Sequence, residues 1–167
     1  MSRRHSTGFT LVELLAVIAI AAILLTIAIP SFQESMRANR VATTGNELLA
    51  SLSLARSEGI RSTRGGGVCT STNGTSCGGN WNNGWLVWTD SNGNGALNTG
   101  ETVVRYSQAK ARLALTSAVT TIAFDSRGRI IGGAQQIQLS PEGATAPIRC
   151  LRIAVTGQTR VTQGACS

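Results

Sequence analysis

Histidine is nearly absent from this 167-residue chain: the only one, His5, lies among the first eight residues. Asp and Glu together number eight and form no cluster, no isolated thiol stands beside a base, and no Gly-rich loop joins a Lys. Proton transfer, nucleophilic attack and phosphate cradling each need such groups in combination, so the chain reads as a non-enzyme. Aromatic residues make up 4% and charged residues 14%, which leaves Val, Ile, Leu and Ala to build any core. Proline occurs 3 times and glycine 19 times, a balance that favours turns and β structure. The length allows one domain of ordinary size plus an appendage, and excludes a large multidomain enzyme.

What is present in quantity is an apolar run. After the basic and polar MSRRHSTG, the 21 residues Phe9–Ile29 are interrupted only by Thr10, Glu13 and Thr26. As a helix they reach about 30 Å, the thickness of a bilayer's apolar core. Arg3 and Arg4 precede the run, so they stay cytoplasmic and the remainder of the chain lies outside the inner membrane. No small-x-small cleavage site follows; Pro30 and Ser31 come next. Glu13 does not suit a plain anchor. A carboxylate costs about 2.5–3.5 kcal/mol near the centre of a membrane helix, less near its end, and such residues have a designated partner.

The string Gly8-Phe9-Thr10-Leu11-Val12-Glu13, with its basic leader and the apolar run closing at Pro30, resembles the class III signal of type IV prepilins and type II secretion pseudopilins. The resemblance implies cleavage after Gly8 by a prepilin peptidase and N-methylation of Phe9. It also implies packing of the helix, from Glu13 to Pro30, in the core of a filament of pilins and minor pilins. Glu13 would pair there with a neighbouring subunit's terminal amine, since a buried carboxylate is tolerable only when paired. Before assembly the protein would sit in the inner membrane with its globular part in the periplasm; afterwards it would be part of a pilus at the cell surface.

Beyond Pro30 the sequence turns amphipathic, with Phe32, Met36, Val41, Leu48, Leu49, Leu52, Leu54 and Ala55 at helical spacing. One helix from about Phe9 to Arg61 is expected, bent at Pro30. From Thr63 onward short strands are expected at Trp85–Thr89, Glu101–Ser107, Leu113–Thr116, Thr121–Asp125, Ile137–Ser140, Ile148–Val155 and Thr159–Thr162. The fold class is α+β: a long N-terminal helix packed on one antiparallel β-sheet or two packed sheets. The organisation is a leader at 1–8, a membrane or filament-core half-helix at 9–30, an amphipathic half-helix at 31–62 and a β-rich domain at 63–167. The pieces Leu54–Glu58, Gly84–Asp90, Phe124–Gly128 and Arg152–Gly157 are similar to FimT/FimU minor pilins and GspH pseudopilins.

Four cysteines allow three connectivities. Pairing Cys69 with Cys77 and Cys150 with Cys166 closes two local loops, and the resembling pilins often staple their carboxyl-terminal segment this way; neither spacing suits zinc. Asp90–Glu101 matches the calcium-loop spelling, with Asp90, Asn92, Asn94, Ala96 and Glu101 at ligand places. The competing reading is a β-hairpin turn rich in Asn and Gly, and with only two formal charges the expected cofactor is none, with weak calcium as the rival. From Ser62 onward nine basic residues face four acidic ones. The resemblance to FimT places Gly157-Gln158-Thr159-Arg160 at a carboxyl-terminal G-R-x-R motif associated with DNA uptake, with Gln158 replacing one arginine. Candidate contacts for duplex DNA, without sequence preference, are Arg160, Arg149, Arg152, Arg127 and Arg129. The competing reading is a solvated face or contacts to acidic filament neighbours. Three functions follow: a minor pilin that joins or primes a type IV pilus, a DNA-binding minor pilin for natural transformation, and a type II secretion pseudopilin.

Overall fold

The computed structural model describes residues 9–143 and 147–167; the leader, Gly8 included, lies outside the described residues. Helix α1 runs from Leu11 to Ser62 and carries Pro30 within it. Thr10 caps its start. The Thr10 hydroxyl oxygen accepts from the Glu13 backbone N–H at 3.2 Å and its carbonyl from that of Leu14, satisfying two donors that a helix start leaves open. The helix stops at Thr63, whose φ of 58° is left-handed, a conformation that ends helical bonding. Ser62 Oγ then accepts from the N–H groups of Arg64 and Gly65 and leads the chain straight into a strand.

The chain divides into two units, at Arg37 and Ala38. In the first, the large apolar side chains from Leu11 to Ile29 are 51–74% exposed, and the helix is long and apolar enough to cross a membrane, with mean hydropathy 2.8 in its richest stretch. Phe32 and Met36 do not join a packed stripe, being 67% and 40% exposed. The buried stripe begins at Val41, once the second unit has started, and continues through Leu48, Leu52, Ala55 and Gly59, the three- and four-residue spacing of one helix face.

In the second unit eight strands follow: β1 (Gly65–Thr70), β2 (Gly84–Asp90), β3 (Thr102–Gln108), β4 (Leu113–Ser117), β5 (Thr121–Asp125), β6 (Gln135–Pro141), β7 (Arg149–Ile153) and β8 (Thr159–Gln163). They form two antiparallel four-stranded sheets, here sheet A in the order β3-β2-β1-β5 and sheet B in the order β4-β6-β7-β8. Leu48 and Leu52 of the helix meet Val68, Trp85 and Phe124 of sheet A and Ile137, Leu139 and Leu151 of sheet B in one core. Trp85 is held further: its indole N–H donates to Ser51 Oγ at 3.0 Å, and the Lys110 ammonium lies over its ring while pairing with Glu47 at 2.7 Å. Trp88 faces the other side of β2, as odd spacing along a strand requires, and packs with Cys69 and Leu86 beneath Leu97, Val103 and Tyr106.

Strand β1 is not among the strands expected from sequence. It begins Gly65-Gly66-Gly67 yet occupies an interior place in sheet A. A Cβ on Gly66 would stand 2.5 Å from the Ala55 carbonyl oxygen, and one on Gly67 would enter the Trp88 ring. The glycines are therefore there to admit the helix backbone on one face and an indole on the other.

Disulfides join Cys69 to Cys77 and Cys150 to Cys166, with Cα separations of 5.6 and 5.1 Å. The second ties β7 to the carboxyl-terminal tail, which lies on the outer face of sheet B: Cys166 N–H donates to the Gln138 side chain and the Gln136 amide donates to the Ser167 carbonyl.

Candidate functional site

Glu13 occupies the first turn of α1, three residues after the Thr10 cap. The partial positive charge of a helix start favours a carboxylate at this place by about 0.3–1 kcal/mol. That offsets part, and only part, of the cost of setting a carboxylate in an apolar run. Every large apolar side chain along Leu11–Ile29 is exposed, so this stretch finds no packing partner within its own unit.

The second candidate region is the basic one, and the structure divides its five arginines among three places. Strands β7 and β8 form a hairpin in which Arg152 stands directly opposite Arg160. Both line a groove of about 430 Å³ on the outer face of sheet B, together with Gln136, Ile153 and Gln158. Arg149 alternates to the opposite face from Arg152, in register with Leu139 and Gln163, because strand side chains reverse at each residue. Arg127 and Arg129 belong to the turn after β5. There the Asp125 carboxylate accepts from the backbone N–H groups of Arg127 and Arg129, both at 2.9 Å, and from the Arg129 guanidinium at 3.1 Å. Burial pushes the Asp125 carboxyl up, but these hydrogen bonds from Arg129 and Arg127 and the Arg129 charge outweigh it, and the group is held below its ordinary value.

The turn after β5 and the turn between β7 and β8 are linked through Arg56, whose guanidinium donates to the carbonyls of Gly128 at 2.8 Å and Thr156 at 3.2 Å. Gly157 has φ 77° and leaves no room for a Cβ against the Gly128 carbonyl. The turn bearing Arg127 and Arg129 is thus packed on the turn that begins β8. Two contributors lack an easy sequence signal. Gln136 joins the groove because β6 pairs with β7 and sets it opposite Arg152, and Arg56 reaches its carbonyls 72 and 100 residues away.

The loop from Asp90 to Glu101 closes on itself. Asp90 is 1% exposed, and its carboxylate accepts from the backbone N–H groups of Asn92, Gly93 and Gly95. Glu101 accepts from those of Ser91 and Asn98. Asn92 and Asn94 both donate through their side-chain amides to Asn98 and accept from the N–H groups of Asn94 and Ala96. Among the described residues no group of three or more His, Cys, Asp or Glu comes together. The visible work of this loop is to cap β2 and to lay Leu97 on the outer cluster of sheet A.

An uncovered apolar helix start with a lone carboxylate, continuing into a helix packed under two antiparallel sheets, defines a pilin-like subunit. Residues 3–29 match the prokaryotic N-terminal methylation motif and residues 44–159 match the family described as type II transport protein GspH. The chain belongs to that GspH family of minor pilins and pseudopilins, which are structural subunits processed by a prepilin peptidase and assembled with other pilins. Two crystal structures of the type IV minor pilin FimU from Pseudomonas aeruginosa share its fold. One has TM-score 0.59 and 21% identity over 74% of this chain and 89% of that one; the other has 0.57 and 20% over 72% and 91%. No curated protein matches the sequence.

Proposed function

We propose that this subunit enters or primes a type IV pilus, after cleavage between Gly8 and Phe9 and methylation of the Phe9 amine. Before assembly it is held in the inner membrane by the apolar half of α1, with its β-rich domain on the periplasmic side, where disulfides persist. The observation that carries this reading is the uncovered Leu11–Ile29 surface with Glu13 at its start. A carboxylate so placed finds its counter-charge in the free amine of an adjacent subunit, and the apolar sides of neighbouring helices cover one another. Duplex DNA is less well supported as a ligand. Of the three arginines on β7 and β8 only Arg152 and Arg160 share a face, and two phosphate contacts give a salt slope of only about −1.8.

Filaments sheared from the native host test the proposal. The expected result is a subunit that begins at methylated Phe9, present at low copy, with fewer pili in a strain lacking it. An intact Met1 start would overturn the processing step, and unchanged pilus numbers with a loss of secretion would transfer the subunit to a secretion pseudopilus.

A further inference from the structure

We propose that the groove on the outer face of sheet B is a carboxylate site, which takes an Asp or Glu side chain from a neighbouring filament subunit between Arg152 and Arg160. The proposal rests on the subunit reading above, since it needs neighbours held at high effective concentration. Its basis is an arrangement that is unfavourable while the groove stands open. Arg152 and Arg160 are cross-strand partners, and like charges directly opposite each other destabilise a sheet. Neither arginine takes part in the ion pairs found among the described residues, which join Arg61 to Glu58, Lys110 to Glu47 and Arg129 to Asp125. Strands β7 and β8 hold no Asp or Glu, so neither arginine has an acidic neighbour on its own strands.

Arg152 Nε is also buried with no hydrogen-bond partner. Nε itself lies out of reach of a ligand in the open groove, so any contact there is made through the Nη–H donors. The guanidinium is already oriented, because its Nη2 donates to Ser167 Oγ at 2.8 Å. The Gln136 amide beside it is fixed by the Ser167 carbonyl at 3.1 Å.

The shape favours a side chain over a nucleic acid. The groove holds about 430 Å³ and is walled partly by Ala134 and Ile153, space for one or two side chains. Two arginines on one face of the hairpin supply the positive charge that a carboxylate pairs with. A duplex instead presents phosphates along a ridge and is met by a row of cations. Strand β8 is the edge of sheet B, so an approaching chain reaches the groove without displacing a strand.

The test uses the full-length chain in its piliated host, with a photo-cross-linking amino acid at Ala134 or Gln158 on the groove's lining. The expected result is a light-dependent adduct to another pilin subunit at a peptide containing Asp or Glu. Arg160→Glu should lower its yield about tenfold, the effect of losing one charge-assisted contact. Arg160→Lys, which keeps the charge and loses the fork, should give a yield between those of the wild type and Arg160→Glu, and changing the captured acid to Lys should restore it in the Arg160→Glu chain. An adduct to DNA, or a yield indifferent to Arg160→Glu while that variant still enters filaments, overturns this proposal alone. Absence of the wild-type chain from sheared filaments overturns it together with the subunit reading.

Discussion

From Leu11 to Ile29 helix α1 is apolar on nearly every side, and from Val41 to Gly59 it is apolar along one stripe. The backbone is the same in both stretches, and the destination of the side chains differs. In the second stretch the buried face is matched within the chain, by strands from both sheets, so its burial stabilises the monomer at about 25 cal/mol per Å² removed from water. In the first stretch the same chemistry stabilises nothing until lipid or other subunits arrive. A helix with one apolar face is a component of a fold; a helix apolar all round is a component of an assembly.

The comparison can be broken by truncating one leucine in each stretch. Leu52→Ala should destabilise the β-rich domain by about 2–5 kcal/mol, the range for a fully buried leucine. Leu15→Ala, at a position 58% exposed, should leave the denaturant midpoint of that domain unchanged and alter only membrane retention or filament yield. Equal loss of midpoint in both variants would erase the distinction. Gly66→Ala is the next largest change, expected to cost about 1–3 kcal/mol as overpacking, read from the same unfolding curve; an unchanged midpoint would mean that helix and strand separate easily.

The smallest effect concerns Glu47, on the packed stretch. Burial raises its carboxyl, but hydrogen bonds from Lys110 and Ser107 and the charges of Lys110 and Arg105 outweigh it and hold the group below its ordinary 4.5. The unfolded chain then binds that proton more readily than the folded one. The contribution is complete above 4.5 and is lost as pH falls through the folded value. Lys110→Met should flatten the stability curve in that acid window and cost less than about 1 kcal/mol at neutral pH. Stability followed by tryptophan fluorescence from pH 7 downward checks the sign.

The elements legible in the sequence were those whose pattern is contiguous. The Gly8–Glu13 string and the apolar run announce themselves within one stretch, and β2, with Trp85, Val87 and Trp88, follows from alternation and bulky residues. Strand β1 was hidden because its glycines, taken alone, have the composition of a connection; their purpose lies in Ala55 and Trp88, which are distant in sequence. The basic region shows the same division. The opposition of Arg152 and Arg160 lies within one hairpin about the Ala154–Gln158 turn, and strand alternation already separates Arg149 from them. Gln136 and Arg56 depend on which strands and turns become neighbours, a matter decided by the tertiary core. In the Asp90–Glu101 loop the calcium spelling is complete, and the side-chain oxygens of Asp90, Asn92, Asn94 and Glu101 also accept from the loop's own amides, which spelling alone does not reveal.

Gly66 and Gly67 are adjacent in β1, but their prospects under substitution differ. The obstacle at Gly66 is a main-chain oxygen, which no exchange of the residue at position 55 would remove, so that site has no route to a larger residue short of moving the helix. The obstacle at Gly67 is the indole of Trp88, and a smaller residue at 88 would vacate the volume a new methyl group needs. One glycine is thus held against main chain, and its neighbour against a single side chain.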